Sequence, residues 1–294
     1  MKKIPYFLLF GLSLGLSSCI KDTTAEDKKQ ENDDEIRAYI ARKNIPAKKT
    51  ESGLYYVVTQ TASGGRTPVV GDQVTLHYII SRISDDVIID STQVAKNKPL
   101  LISFGGTNLI PGLTEGISLL REGEKATLLI PAHLAYGDAG SAALLPYAVV
   151  RYDVSVLKVR SEEEQIVEYT NTKNLKIDKK TESGLRFTQL LKVEGVADTV
   201  KATSTVSVKY TGKLLDDTQF DSGTAPFNLG TANSVVKGFL EGLVGLRVGD
   251  KARLIFPSSI AYGKDGRLNE TTRKYTIPPY SPLVFEVEII SVTK

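Results

Sequence analysis

Apolar residues alternate with polar ones at Val206, Val208 and Tyr210, and again at Leu283, Phe285, Val287 and Ile289. A period of two sets every second side chain on one face, so both stretches predict half-buried strands of an antiparallel sheet. Between them Val235, Val236, Phe239, Leu240, Leu243 and Val244 fall at helical spacing, and Gly245 stops the run. One short helix among several strands predicts an α+β domain in which a bent antiparallel sheet wraps over the helix. Briefer helical patterns stand earlier, at Ile36, Tyr39 and Ile40 and at Ile166, Val167 and Tyr169, each after acidic residues suited to a helix N-terminus. Such a helix either docks on a partner or packs on its own domain, and packing is the expectation.

The pattern occurs twice. Lys48-Lys-Thr-Glu-Ser-Gly-Leu54 returns unchanged as Lys179-Lys-Thr-Glu-Ser-Gly-Leu185. Arg121-Glu-Gly-Glu-Lys-Ala-Thr-Leu-Leu-Ile-Pro131 returns as Arg247-Val-Gly-Asp-Lys-Ala-Arg-Leu-Ile-Phe-Pro257, Ala135-Tyr-Gly137 as Ala261-Tyr-Gly263, and Pro146-Tyr147 as Pro279-Tyr280. The order is kept and the offset drifts by only a few residues, which is the mark of a duplicated domain with loop insertions; two copies are too few for a solenoid. The 294-residue length agrees with two domains.

Composition narrows the chemistry. The 37 basic and 34 acidic residues are scattered rather than gathered into a stripe, which argues against nucleic acid as a partner. Cys19 is the sole cysteine, and the only histidines are His77 and His133, both in the first copy. A disulfide framework, a metal site shared by both copies and a Ser-His-Asp triad shared by both are therefore excluded. The glycine pairs are not followed by Gly-Lys-Ser/Thr, so no phosphate loop and no cofactor are expected.

The N-terminal segment reads as targeting. Lys2 and Lys3 precede an apolar run from Ile4 to Leu16, too short to span a bilayer comfortably, which ends in Leu16-Ser-Ser-Cys19. This resembles the lipobox of bacterial lipoproteins, and the resemblance implies cleavage before Cys19, lipidation of Cys19, and an exported chain lipid-anchored to a bacterial membrane, outer membrane or periplasm-facing. One acyl chain at about 0.8 kcal/mol per buried methylene holds only marginally, so stable anchoring implies several. From Lys21 to Glu35 nearly every residue is charged or polar, with too little apolar surface to offset the entropy of ordering, and the segment is expected to be a solvated tether. The resulting organisation is signal 1–19, tether and short helix 20–43, first domain 44–160, linker helix 161–174 and second domain 175–294.

The second copy carries Val208-Lys-Tyr-Thr-Gly212, Phe220-Asp-Ser222, Val235-Val-Lys-Gly-Phe239, Glu241-Gly242, Ala261-Tyr-Gly263, Ile277-Pro-Pro279 and Leu283-Val-Phe-Glu-Val-Glu288. In this order and spacing, from about Thr203 to Val292, they resemble the FKBP family of peptidyl-prolyl cis/trans isomerases. The resemblance implies two FKBP-like domains and an apolar proline pocket in the second, lined by Tyr210, Phe220, Val235, Val236, Phe239, Tyr262, Ile277 and Phe285 with Asp221 beside them. It further implies that the Tyr262 hydroxyl donates to the substrate carbonyl and that the Ile277 backbone N–H supports the bound peptide. Phe239 stands where many members carry tryptophan. The family often adds an aromatic before the short helix, and the shortened Ala225-Pro226-Phe227 is expected to offer only Ala225 there.

The first copy, about Asp72 to Val159, matches more loosely. It keeps Tyr78, Asp90, Leu109, Ile110 and Tyr136, but has Ile89 for the phenylalanine, Leu113 for the aromatic floor, Leu144 in the Ile-Pro-Pro segment and Tyr152 for the C-terminal phenylalanine. A weaker pocket with aliphatic walls is expected. The implied partners are proline-containing, unfolded or extended client chains. The enzyme reading is an isomerase that assists folding at the cell envelope, mainly through the second domain; its rival is a non-catalytic peptide-binding chaperone or assembly scaffold. In the second copy Lys264 to Thr276 forms a longer stretch expected as a solvated loop near the pocket.

Overall fold

The computed structural model describes residues 24–195, 198–232 and 234–293; the lysine-led run and Cys19 lie outside the described residues. The first repeat holds helix α1 (Ala25–Lys43), strands β1 (Lys48–Lys49), β2 (Tyr55–Gln60), β3 (Gln73–Arg82), β4 (Ile88–Ser91) and β5 (Leu100–Ser103), helix α2 (Pro111–Ser118), and strands β6 (Lys125–Ile130) and β7 (Val150–Arg160). The second holds helix α3 (Glu162–Thr172), strands β8 (Lys179–Lys180), β9 (Arg186–Leu191), β10 (Thr205–Leu214) and β11 (Gln219–Asn228), helix α4 (Lys237–Leu243), and strands β12 (Lys251–Phe256), β13 (Arg267–Asn269), β14 (Lys274–Ile277) and β15 (Leu283–Thr293). The sheets run β1-β2-β6-β7-β3-β4, with β5 also on β3, and β8-β9-β12-β15-β10-β11. The order is the same in both, with β4 and β5 standing where β11 is a single strand.

The second sheet buries the face its alternation predicted. Val206 and Val208 of β10 and Leu283, Phe285, Val287 and Ile289 of β15 are buried, and Phe239 and Leu243 of α4 close the same core. The helix is shorter than its apolar spacing suggested. Val236 and Val244 are extended (ψ 148 and 127), in keeping with the stiffness of β-branched residues, and leave Val235 and Val236 as a wall ahead of the helix. The repeated heptapeptide is the turn between the first two strands of each sheet. Gly184 takes φ +92 there, a left-handed conformation that disfavours any side chain, and Ser183 donates to Glu241 of α4 at 2.7 Å just as Ser52 donates to Glu115 of α2 at 2.6 Å.

The structure corrects the expected tether. From Ala25 onward the segment is helix, opened by a capping box in which Thr24 and Asp27 satisfy each other's backbone N–H groups. A helix needs only one narrow stripe to dock, and Asn32, Ile36 and Tyr39 at i, i+4 and i+7 supply it. All three are buried, with Ile36 and Tyr39 packed on Tyr55, Ile83, Leu129 and Val149. The charged majority faces water and masks that stripe in the composition.

The expected linker is likewise part of a domain. Only Ser161 separates β7 from α3, and Ile166 is buried against Ile255 and Val284 on the face of the second sheet opposite its core. Gln165 and Thr170 turn inward while Val167, expected to do so, is exposed. The two helices are equivalent: Tyr39 donates to Asp86 and Lys43 pairs with it, and Tyr169 donates to Asp217 and Lys173 pairs with it. Boundaries at 44 and 175 would cut through this packing, so the repeating units begin at the helices.

Candidate functional site

In the second repeat, neighbouring strands and the start of α4 bring Tyr210, Asp221, Val235, Val236, Phe239, Tyr262 and Phe285 around one cavity of about 110 Å³. The register explains the meeting of β10, β11 and β15: Gly212 faces Asp221 on one side and Phe285 on the other. A Cβ at Gly212 would lie 2.7 Å from the Phe220 ring and 2.9 Å from Phe285, so the glycine makes room for both rings. The first repeat has Ile80 at that station, paired with Asp90 and Tyr152.

The rings form one network. Phe239 is 3 % exposed, and its ring centre lies 5.0 Å from Phe285, 5.6 Å from Phe227 and 6.1 Å from Tyr210, all edge to face. Phe220 packs edge to face on Phe285 at 5.6 Å, and Phe256 stacks on Phe285 at 5.8 Å. Phe220 therefore backs the cavity through Phe285 rather than lining it. Ile277, expected in the lining, has its side chain in the core at 0 % exposure and pairs across the β13–β14 hairpin with Arg267.

Phe227 was missed. It lines the cavity together with Ser234, where only Ala225 was expected to reach. Its signal was present in the alternation, since Phe227 lies two residues beyond Ala225 on the same face of β11, opposite Val206. The stretch expected as a solvated loop is the β13–β14 hairpin, and it brings the Arg267 guanidinium 3.8 Å from the Asp221 carboxylate. Burial first, and then the nearby Asp221 carboxylate, push the Tyr210 hydroxyl above its ordinary value. Among the described residues the Tyr262 hydroxyl makes no hydrogen bond.

The first repeat assembles its counterparts differently. Leu113, Leu144 and Tyr152 are buried in the core, with Tyr78, Ile89, Leu109, Ile110 and Tyr136 packed against it. Leu144 bridges only to Ser141, where the second repeat has its hairpin. The Tyr78 hydroxyl donates to Asp90 at 2.8 Å, and the Tyr136 and Tyr152 hydroxyls bond to each other at 3.1 Å. Burial, followed by the bond to Asp90, pushes the Tyr78 hydroxyl up to about 12. Burial, followed by Tyr136, raises that of Tyr152 as well. Tyr78 is thus paired with Asp90 and Tyr136 with Tyr152.

A model of the FKBP-type peptidyl-prolyl cis-trans isomerase family matches residues 64–157 and 197–290. Human peptidyl-prolyl cis-trans isomerase FKBP10 is 30% identical over 229 residues, spanning 76% of this chain and 34% of its own length. The FKBP-type 22 kDa peptidyl-prolyl cis-trans isomerase of Escherichia coli (strain K12) is 41% identical over 115 residues, 38% of this chain and 52% of its own. Among solved structures, FkpA from Escherichia coli is 29% identical with a TM-score of 0.39, covering 46% of this chain and 62% of that one. The chain spans about a third of the length of the human relative, and about half that of the bacterial one.

Proposed function

The chain belongs to the FKBP-type peptidyl-prolyl cis-trans isomerase family, and on that premise we propose that its second domain isomerises X-Pro bonds in extended client chains while its first domain mainly binds or spaces. The observation that carries this reading is the aromatic cavity in which the Tyr262 hydroxyl is free among the described residues. Its volume of about 110 Å³ lies well below the roughly 300–1,000 Å³ of cofactor and drug-sized sites, so it suits a single ring-sized side chain.

The chemistry needs no proton transfer and no bond cleavage. Amide resonance sets a barrier of about 18–20 kcal/mol, and the X-Pro ground states are close enough that the rate is what a catalyst must change. Twisting the amide removes its charge separation and makes it less polar. Walls of Tyr210, Phe227, Phe239 and Phe285 that hold the pyrrolidine ring therefore favour the twisted amide over the planar one. Tyr262 donates to the substrate carbonyl and keeps it oriented during rotation. Asp221, beside Arg267, orients the polar edge of the pocket and takes no proton.

The Tyr136–Tyr152 bond favours binding without fast turnover for the first domain, because the hydroxyl equivalent to that of Tyr262 is already engaged. The test compares cis-to-trans exchange of a proline-containing tetrapeptide with the whole chain, Tyr262→Phe and Tyr136→Phe. Turnover should fall about tenfold or more in Tyr262→Phe and change little in Tyr136→Phe; the reverse order would sink the assignment.

The same proposal places the chain at a bacterial cell envelope, held through lipidated Cys19, on the strength of the lysine-led run and Leu16-Ser-Ser-Cys19. Intact mass of the membrane-extracted protein should show acyl groups, and Cys19→Ala should release soluble chain. Recovery of wild type without lipid from the membrane-free fraction would contradict it.

A further inference from the structure

The turn that carries Tyr262 is held by residues outside its own sheet. Ser258, 2 % exposed, opens the short 3-10 helix Ser258–Ile260, and its carbonyl accepts from Ala261 N–H at 2.8 Å and Gly263 N–H at 2.9 Å, on either side of Tyr262. Ser258 is itself held by Glu162, the first residue of α3: one carboxylate oxygen accepts the backbone N–H and the other the hydroxyl, both at 2.6 Å. On the far side, the Gly263 carbonyl accepts from Tyr280 N–H at 2.8 Å. The Tyr280 ring reaches the first domain, where a Cβ placed on Gly71 would lie 3.4 Å from it and one on Gly106 would lie 2.9 Å from it and 2.5 Å from Pro279.

The first repeat shows what this arrangement replaces. There Asn32 of α1 accepts from Ala132 N–H at 2.8 Å and donates to the Tyr147 carbonyl at 3.0 Å, so one neutral side chain ties the tyrosine turn to the segment after it. Tyr147 N–H in turn donates to the Gly137 carbonyl at 2.8 Å. In the second repeat Glu162 occupies the Asn32 station and spends both oxygens on Ser258, while the Tyr280 segment is fixed by the body of the first domain. Helix α3 is anchored on both sides: Glu164 pairs with Arg66 of the first domain, and Glu163 with Lys180 and Arg186 of the second.

We propose that Glu162 and Tyr280 are positioning residues through which α3 and the first domain fix the Tyr262 turn, so that the second pocket reaches full activity only when both are in place. The proposal rests on the isomerase reading of that pocket. Mispositioning acts on the orientation of one hydroxyl rather than on the aromatic walls, so it lowers kcat and leaves KM nearly unchanged.

The experiment uses the full chain with Glu162→Ala, Glu162→Gln and Gly106→Ala. Gly106 belongs to the first domain and has no left-handed backbone to strain, so its Cβ acts only by displacing Pro279 and Tyr280. Kinetics on a proline-containing tetrapeptide should show kcat down about tenfold in Glu162→Ala and about threefold in Gly106→Ala, with KM held. Glu162→Gln should restore most of the loss, because its amide can accept from Ser258 N–H and donate to Ser258 Oγ. In chain labelled with 3-fluorotyrosine, the Tyr262 resonance, assigned by its loss in Tyr262→Phe, should shift in Glu162→Ala and Gly106→Ala and return in Glu162→Gln. Wild-type kcat in both Glu162→Ala and Gly106→Ala, or a Tyr262 resonance unmoved by either, overturns the proposal. An inactive wild type whose Tyr262 resonance still responds would instead overturn the isomerase reading and leave the positioning intact.

Discussion

Replacing Phe239 with leucine gives the second pocket the floor that Leu113 gives the first. The ring is 3 % exposed and meets three others edge to face, at 5.0 Å, 5.6 Å and 6.1 Å. Each such contact contributes about 0.5–1.5 kcal/mol beyond area burial, which sets a ceiling of roughly 4.5 kcal/mol for losing all three. Leucine refills most of the volume and Phe227, Phe285 and Tyr210 can close on one another, so the expected cost is about 1–2 kcal/mol. That lowers the melting midpoint by about 3–8 °C for a domain of this size. The floor also supplies one of the faces against which the twisted amide lies, and loss of one ring contact there corresponds to about a tenfold fall in kcat/KM. Thermal unfolding by circular dichroism and tetrapeptide exchange on the same preparation give both quantities. Wild-type kcat/KM with a lowered midpoint would refute the reasoning, because the ring would then be core alone.

Tyr152→Phe in the first domain removes the hydroxyl that engages Tyr136 and restores the phenylalanine of the second domain; turnover by a chain already carrying Tyr262→Phe should rise severalfold, and no rise would show that the aliphatic walls, not the engaged hydroxyl, limit that site. Glu162 supplies a pH test: burial, partly offset by the bonds from Ser258, holds its carboxyl above the ordinary carboxylate value. A raised folded value means the folded chain binds this proton more readily than the unfolded one, so the contribution is full below the unfolded value of about 4.3 and is lost as pH rises through the folded value. Glu162→Gln should therefore gain stability relative to wild type as pH rises above about 4.3 in urea unfolding, and a constant or shrinking difference would refute the assignment.

The duplication and the α+β class were legible in the sequence, since alternation fixes which face of a strand is buried and the repeated motifs mark equivalent turns; most of the cavity lining was legible only through the motifs that resemble the FKBP family. Tyr210, Val235, Val236, Phe239, Tyr262 and Phe285 could be read together because the ordered motifs that resemble the FKBP family carry all six, and the fold gathers them around one cavity from β10, the start of α4, the Ala261–Gly263 turn and β15. Phe227 was legible too, through its alternation with Ala225, but the shortened segment drew attention away from it. The helical nature of residues 25–35 was hidden by averaging: composition weighs every side chain equally, whereas docking needed only Asn32, Ile36 and Tyr39 on one stripe.

Tertiary structure alone decided the rest, because it depends on pairs far apart in the chain. Ile277 and Phe220 match the motif as well as Phe285 does, yet one fills the core and the other backs a neighbouring ring, a distinction set by how β14 and β11 pack rather than by residue type. The Tyr136–Tyr152 bond spans separate elements and follows from one added hydroxyl meeting another across the first core. The hold of Glu162 on Ser258 joins residues 96 apart, and Tyr280 docks on glycines of the other domain. Such contacts leave no periodicity behind, so only the folded chain brings them together.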